Sequence, residues 1–109
     1  RLGACILLSP SAWAVKADHN NQLEPYGAIW RTSFAQLAKR FQMAVVAVSN
    51  VGPISAGPWL GRRCIGGSLI VSSEGPVVAS GPYNKPALVV ANVNLIDNRP
   101  KGTAISGML

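Results

Sequence analysis

The sequence predicts an α/β fold in which a strand–helix–strand unit is followed by an antiparallel hairpin and a final strand. Two short runs, residues 5–8 and 43–49, are almost entirely apolar, which is typical of strands covered on both faces in a parallel sheet. The stretch between them, residues 26–42, repeats its apolar residues at helical spacing. Further along the chain, strand-forming residues alternate with glycine and proline turns.

The first strand is expected to end near Pro10, which lacks the backbone N–H that a sheet ladder requires. The polar stretch at residues 16–25 is typical of a surface loop. In the helix that follows, the apolar residues are spaced by four, three, one and three positions and so share one face: Trp30, Phe34, Leu37, Ala38 and Phe41. Lys39 and Arg40 suit the negative end of the helix dipole.

The order of these elements places two chain segments at one edge of the sheet. A strand–helix–strand crossover in one sheet runs its strands parallel and is nearly always right-handed. Residues 9–13 and 49–52 therefore follow the carboxyl ends of neighbouring strands. Because open α/β sheets usually bind their ligands at that edge, we expect the functional site there.

A long glycine-rich loop is predicted over residues 52–67. It carries Trp59 and the pair Arg62-Arg63, and loops of this length in a compact domain are often functional. A hairpin is predicted to follow over residues 68–80.

The number of layers predicts an incomplete domain. A last strand is predicted over residues 87–95, which gives four or five strands with one clear helix to cover them. The chain also begins at Arg1 rather than at Met. We therefore expect residues 1–95 to be part of a larger domain whose first half is missing, or to associate through the sheet. Residues 96–109 are expected to be a loose tail that can form an interface.

Composition excludes several classes of protein. Hydrophobic residues make up 49% of the chain and charged residues 13%, which excludes a disordered tail. Two distant cysteines and a single histidine exclude a zinc finger, a disulfide framework and a bound metal. The net charge of +6 is scattered, so we do not expect a nucleic-acid partner. Glycines and prolines interrupt the uncharged stretch 41–61, which excludes a membrane helix.

Neither cysteine is predicted to be a nucleophile. Cys5 lies in an apolar strand, as inert core thiols do. Two arginines adjoin Cys64, a setting in which reactive cysteines occur, but a buried structural cysteine is the more common case. His19 lies beside Asp18 in the polar loop and is expected to be solvated. The spacing of these three residues does not specify a catalytic triad.

The chain nevertheless resembles one family, the carbon-nitrogen hydrolases of the nitrilase and amidase superfamily, over their C-terminal half. The resemblance covers roughly residues 1–95. The segments that carry it stand in the family's order along the chain: GA (3–4), ILLSPSAW (6–13), Trp30, AKRF (38–41), VVAVSNVG (45–52), GGSLIV (66–71) and EG (74–75).

This resemblance implies an α-β-β-α sandwich, in which two sheets pack face to face with helices outside. It also implies a hydrolase that converts a nitrile or an amide to an acid and ammonia through a cysteine acyl-enzyme, with a glutamate base and a lysine. In the family these three residues precede the segment that resembles residues 3–13. No position of this chain matches them, so the chain is predicted to contain no catalytic residue and to be inactive alone.

The resemblance also implies which residues of this chain lie at the rim of a substrate pocket. Ser11, Ala12 and Trp13 are similar to the segment that backs the family's pocket, and Asn50 to an asparagine beside the nucleophile turn. The loop supplies three further candidates for substrate choice or subunit contacts: Trp59, Arg62 and Arg63.

The resemblance further implies a cytoplasmic homo-oligomer without cofactor, acting on a small molecule. It leaves nitrile, primary amide and carbamoyl substrates open. A second hypothesis is a non-catalytic binding or assembly module that reuses the fold, and a third is an independent enzyme that uses Cys64.

Overall fold

The computed structural model describes residues 3–96, which contain seven strands and one helix. In chain order these are β1 (Ile6–Ser11), β2 (Ala14–Lys16), α1 (Gly27–Phe41), β3 (Ala44–Ser49), β4 (Val51–Pro53), β5 (Arg62–Ile65), β6 (Leu69–Val71) and β7 (Val77–Ser80). Most of the predicted tail, residues 97–109, lies outside the described residues.

The larger sheet has the strand order β1-β3-β6-β7. β1 and β3 are parallel, with Ile6 opposite Ala44 and Ser11 opposite Ser49, and α1 is the crossover between them. β6 runs antiparallel to both β3 and β7. The predicted strand–helix–strand unit and the hairpin after it are therefore confirmed.

Helix α1 covers one face of this sheet. The core between them contains Ala38 of the helix, Val45 and Ala47 of β3, and Leu69 and Val71 of β6, all buried. The helix ends at Phe41, and the next residue, Gln42, has a left-handed backbone (φ 49°) and donates its N–H to the carbonyl of Ala38. Lys39 and Arg40 occupy its last turn as predicted.

Within residues 3–96 the opposite face of the larger sheet is exposed near β1 and only partly covered near β6, where residues 87–89 line a hollow with Val46, Val48 and Ile70. Because successive residues of a strand point to opposite faces, Leu8, Val46 and Ile70, which lie side by side in the register, share the face away from the helix. Leu8 is 66% exposed and Val48, two residues beyond Val46, is 53% exposed. An apolar sheet face in water is expected to need a second layer.

A second, smaller sheet with the order β2-β5-β4 was not predicted. All its strands are antiparallel, and β4 and β5 lie at the two ends of the region predicted as a loop, residues 52–67. The prediction was wrong there because strands of three or four residues are too short to display a two-residue period. β5 also begins with two arginines rather than with the β-branched or aromatic residues that are enriched in strands.

The predicted last strand, residues 87–95, is also wrong. Its side chains do alternate: Val89, Ala91 and Val93 are half-buried, whereas Leu88 and Val90 are 91% and 79% exposed. However, none of the strands within residues 3–96 pairs with it. An alternating pattern predicts which faces are apolar, but a strand forms only where a neighbouring backbone completes the ladder.

Within residues 3–96 there is no helix long and apolar enough to cross a membrane.

Candidate functional site

The carboxyl ends of β1 and β3 meet, as predicted, at one edge of the larger sheet. Ser11 and Ser49 are paired in the register, and the Asn50 N–H donates to the carbonyl of Ser11 (3.2 Å). The parallel hydrogen bonding thus continues one residue past β3, and it brings two predicted site residues, Ser11 and Asn50, into contact.

The hydroxyl of Ser49 forms hydrogen bonds that connect the chain segments at this edge. Its Oγ accepts a hydrogen bond from the Trp13 N–H (3.0 Å) and donates to the Asn50 carbonyl (3.4 Å). The Ser49 N–H donates to the Oγ of Ser68 (3.1 Å), at the start of the hairpin. Since Ser49 is only 7% exposed, these bonds replace water rather than compete with it.

Gly66 is hydrogen-bonded to the same edge of the sheet. Its N–H donates to the carbonyl of Asn50 (2.8 Å), and its φ of +68° favours glycine. A Cβ at this position would lie 2.8 Å from the Cγ2 of Val51. Only glycine therefore allows the chain to pass this close to β4.

A cleft of about 260 Å³ opens beside this edge. Among the residues that line it are Ser49, Val51, Gly66, Ser68, Lys85 and Val89. Neither Ser68 nor Lys85, which both line the cleft, was predicted as a site residue. The glycine pair before Ser68 was the available signal for Ser68, whereas nothing in the sequence around Lys85 distinguishes it from a solvated lysine.

The four predicted rim residues do not all face one pocket. The indole of Trp13 is 6% exposed and lies parallel to that of Trp30, with 5.2 Å between the ring centroids and 3° between the planes. Phe34 packs against the same indole at 6.1 Å. Trp13 therefore bonds to the sheet edge through its backbone, while its side chain packs on α1. It also lines a hollow of about 100 Å³ beside Gly66 and Gly67.

Ala12 lines a different cavity, of about 230 Å³, together with Ala14, Tyr26, Ile54 and Trp59. The structure thus joins one predicted rim residue to one predicted loop residue. Trp59 is 55% exposed, and the guanidinium carbon of Arg62 lies 4.6 Å from the centroid of its ring.

The two arginines lie in β5, where neighbouring residues point to opposite faces. Arg62 is paired with Lys16, and Arg63 with Val15 on one side and Pro53 on the other. They therefore cannot act together on one ligand, although the sequence places them side by side.

The structure gives Cys64 no catalytic setting, and Cys5, expected inside the first strand, lies just before β1 and is half-buried. Cys64 is 6% exposed at the centre of the small sheet, between Ala14 and Gly52. The Nε2 of His19 is buried, and in the described part of the chain it has no hydrogen-bond partner. The His19 ring instead meets Tyr26 edge-on at 6.3 Å. Within residues 3–96 no hydrogen bond joins Cys64 to His19.

Residues 3–96 offer no candidate metal centre. No group of three or more histidine, cysteine, aspartate or glutamate side chains that could hold an ion occurs in the part of the chain that the structure describes.

Comparison with solved structures identifies a protein with the same fold. The chain is similar to a carbon-nitrogen hydrolase from Helicobacter pylori G27, with a TM-score of 0.68 and 23% sequence identity over 84% of this chain. It spans 32% of that protein's chain. No family model and no curated protein matches the sequence. The likeness confirms the predicted fold, a part of the sandwich that carbon-nitrogen hydrolases adopt.

Proposed function

We propose that this chain is the pocket-rim part of a hydrolase that acts on carbon–nitrogen bonds other than peptide bonds. The observation that carries the proposal is the shared fold with a carbon-nitrogen hydrolase, of which the chain spans 32%. The position of Ser11 and Asn50 at the carboxyl edge of two parallel strands supports it, because that edge is where such sheets bind ligands.

The exposed part of this sheet face supports the same proposal. A second sheet packed on Leu8 and Val48, the exposed apolar side chains of this face, would bury them and complete the sandwich. Fully burying one leucine stabilises a fold by about 1.5–3 kcal/mol. The face is therefore better suited to a second layer than to solvent.

The chemistry requires residues that this chain does not supply. In an amidase of the proposed kind, a cysteine thiolate attacks the amide carbon, and the carbon–nitrogen bond breaks as ammonia leaves with a proton from a general acid. Water then cleaves the thioester and releases the acid; a nitrile substrate consumes one water molecule more. The role proposed for the strand-end residues is to shape the pocket around that carbon.

Release of ammonia tests this proposal. The natural-length protein, assayed with a series of primary amides, nitriles and carbamoyl compounds, is expected to release ammonia, and the 109-residue chain is not. Activity of the chain alone that Cys64→Ser abolishes, and Cys5→Ser does not, would instead establish an independent enzyme.

Homo-oligomeric assembly and a cytoplasmic location belong to the same proposal. The competing proposal is a non-catalytic binding or assembly module, which the exposed part of the sheet face also favours. Size-exclusion chromatography and thermal unfolding separate them: the module predicts a defined oligomer with a cooperative transition, whereas a part of a larger domain predicts neither.

A further inference from the structure

Two cations of the small sheet, Lys16 and Arg62, lie directly opposite each other. Lys16 of β2 pairs with Arg62 of β5, so both side chains leave the same face of the sheet at neighbouring positions. Like charges in this arrangement are destabilising. Within residues 3–96 neither cation forms an ion pair, although Asp18 and Glu24 border a hollow that Lys16 also lines. The pair is thus suited to an anion from outside.

Arg62 is held in place for such an anion. Its guanidinium stacks on the Trp59 ring at 4.6 Å, an arrangement that uses the flat face of the group. The N–H donors at the edge of a stacked guanidinium stay available, and they match the two oxygens of a carboxylate.

An apolar cavity adjoins this pair. Ala14, two residues before Lys16 on the same strand face, lines the cavity of about 230 Å³ together with Tyr26, Ile54 and Trp59. An engineered apolar cavity of about 150 Å³ is large enough to bind benzene. The cavity therefore has room for one aromatic ring, with two aromatic side chains in its wall.

We propose that this face of the small sheet binds a small aromatic carboxylate. Its ring occupies the cavity between Tyr26 and Trp59, and its carboxylate lies on Arg62 and Lys16. The site is distinct from the strand-end edge that holds Ser11 and Asn50, and it requires no hydrolase activity.

Titration of the natural-length protein with phenylacetate, followed by the NMR signal of the Trp59 indole N–H, tests the proposal. Two matched probes separate the parts of the site: phenylethanol keeps the ring without the charge, and acetate keeps the charge without the ring. Phenylacetate is expected to bind at least about fivefold more tightly than either, and more weakly as salt screens the cations.

Substitutions then assign the residues. Arg62→Gln and Lys16→Gln are each expected to weaken phenylacetate binding about fivefold, a change typical of one exposed ion pair, and to leave phenylethanol binding unchanged. Arg40→Gln is the control, because Arg40 also lies over an aromatic ring, that of Phe41 at 5.7 Å, on another element.

Equal affinity for phenylethanol and phenylacetate would overturn the proposal, and that comparison needs no variant to fold. Equal effects of Arg40→Gln and Arg62→Gln would overturn it too. If the natural-length protein binds phenylacetate but releases no ammonia from any substrate, the result counts against the proposed hydrolase alone. If it releases ammonia but does not bind phenylacetate, the result counts against this site alone.

Discussion

The hydroxyl of Ser49 accepts the backbone N–H of Trp13 at 3.0 Å, across 36 residues of sequence, and so joins the ends of the two parallel strands. Ser49→Ala is expected to lower the free energy of unfolding by about 1–3 kcal/mol, because it leaves a buried N–H without a partner. Urea unfolding measures this loss. Ser80→Ala, at an exposed position of β7, is the control and is expected to change stability by less than about 0.5 kcal/mol. Equal effects of the two substitutions would contradict the role given to Ser49.

The Trp13 side chain is expected to matter for stability rather than for substrate contact. Trp13→Ala removes an indole that is 6% exposed and stacked on Trp30, and should cost about 3–5 kcal/mol. Trp59→Ala, at a tryptophan that is 55% exposed, should cost far less. Thermal unfolding of both variants decides the point. A Trp13→Ala variant as stable as Trp59→Ala would show that the stack does not anchor α1.

Adjacent glycines provide a test of the sheet edge. Gly66 and Gly67 have nearly the same backbone angle, φ +68° and +69°, but a Cβ at Gly66 would meet Val51 at 2.8 Å, whereas one at Gly67 would meet nothing within 4 Å. Both alanine variants suffer the same backbone strain, so the difference between their unfolding free energies isolates the close approach. We expect Gly66→Ala to be the less stable by about 1–3 kcal/mol. Equal stability of the two variants would mean that β4 shifts to make room for the new Cβ at no cost in free energy.

The proposed second layer can be tested with two exposed residues. Leu8, on the sheet face away from the helix, and Ile29 on α1 are similarly exposed, at 66% and 62%. In the natural-length protein, Leu8→Lys is expected to lower the free energy of unfolding by more than about 2 kcal/mol, because the new charge would be buried under the second sheet. Ile29→Lys is expected to change it little. Two equally mild effects, measured by urea unfolding, would show that nothing covers Leu8.

Asn50 is the predicted rim residue that remains at the sheet edge with an exposed side chain. Asn50→Ala in the natural-length protein is expected to lower kcat/KM for ammonia release at least tenfold, with unchanged unfolding, since its backbone bonds to Ser11 and Gly66 do not depend on the side chain. Ser55→Ala, at an exposed loop position, is the matched control. Unchanged kinetics would remove Asn50 from the site.

How far the sequence predicts this molecule depends on the length of each pattern. Helix α1 and strands β1 and β3 are long enough for their apolar periods to be read, so the crossover and the shared edge at Ser11 and Asn50 were predictable. The small sheet was not, because its strands depend on pairings such as Lys16 with Arg62 that no local pattern encodes. The cavity shared by Ala12 and Trp59 follows from that sheet and was therefore missed.

The burial of the Trp13 indole was missed for a related reason. Trp13 follows a strand end, where side chains of α/β sheets often face a ligand. Its direction is decided instead by contact with Trp30 of the helix, a tertiary interaction between aromatic rings 17 positions apart along the chain.

The central claim is that this chain is the rim of a larger carbon–nitrogen hydrolase, and the coding DNA upstream of Arg1 tests it most directly. The account predicts a continuous open reading frame that encodes a glutamate, then a lysine, then a cysteine on a strand-to-helix turn before Gly3. A stop codon in frame directly upstream, with a start codon beside Arg1, would contradict it and leave the binding or assembly module as the better account.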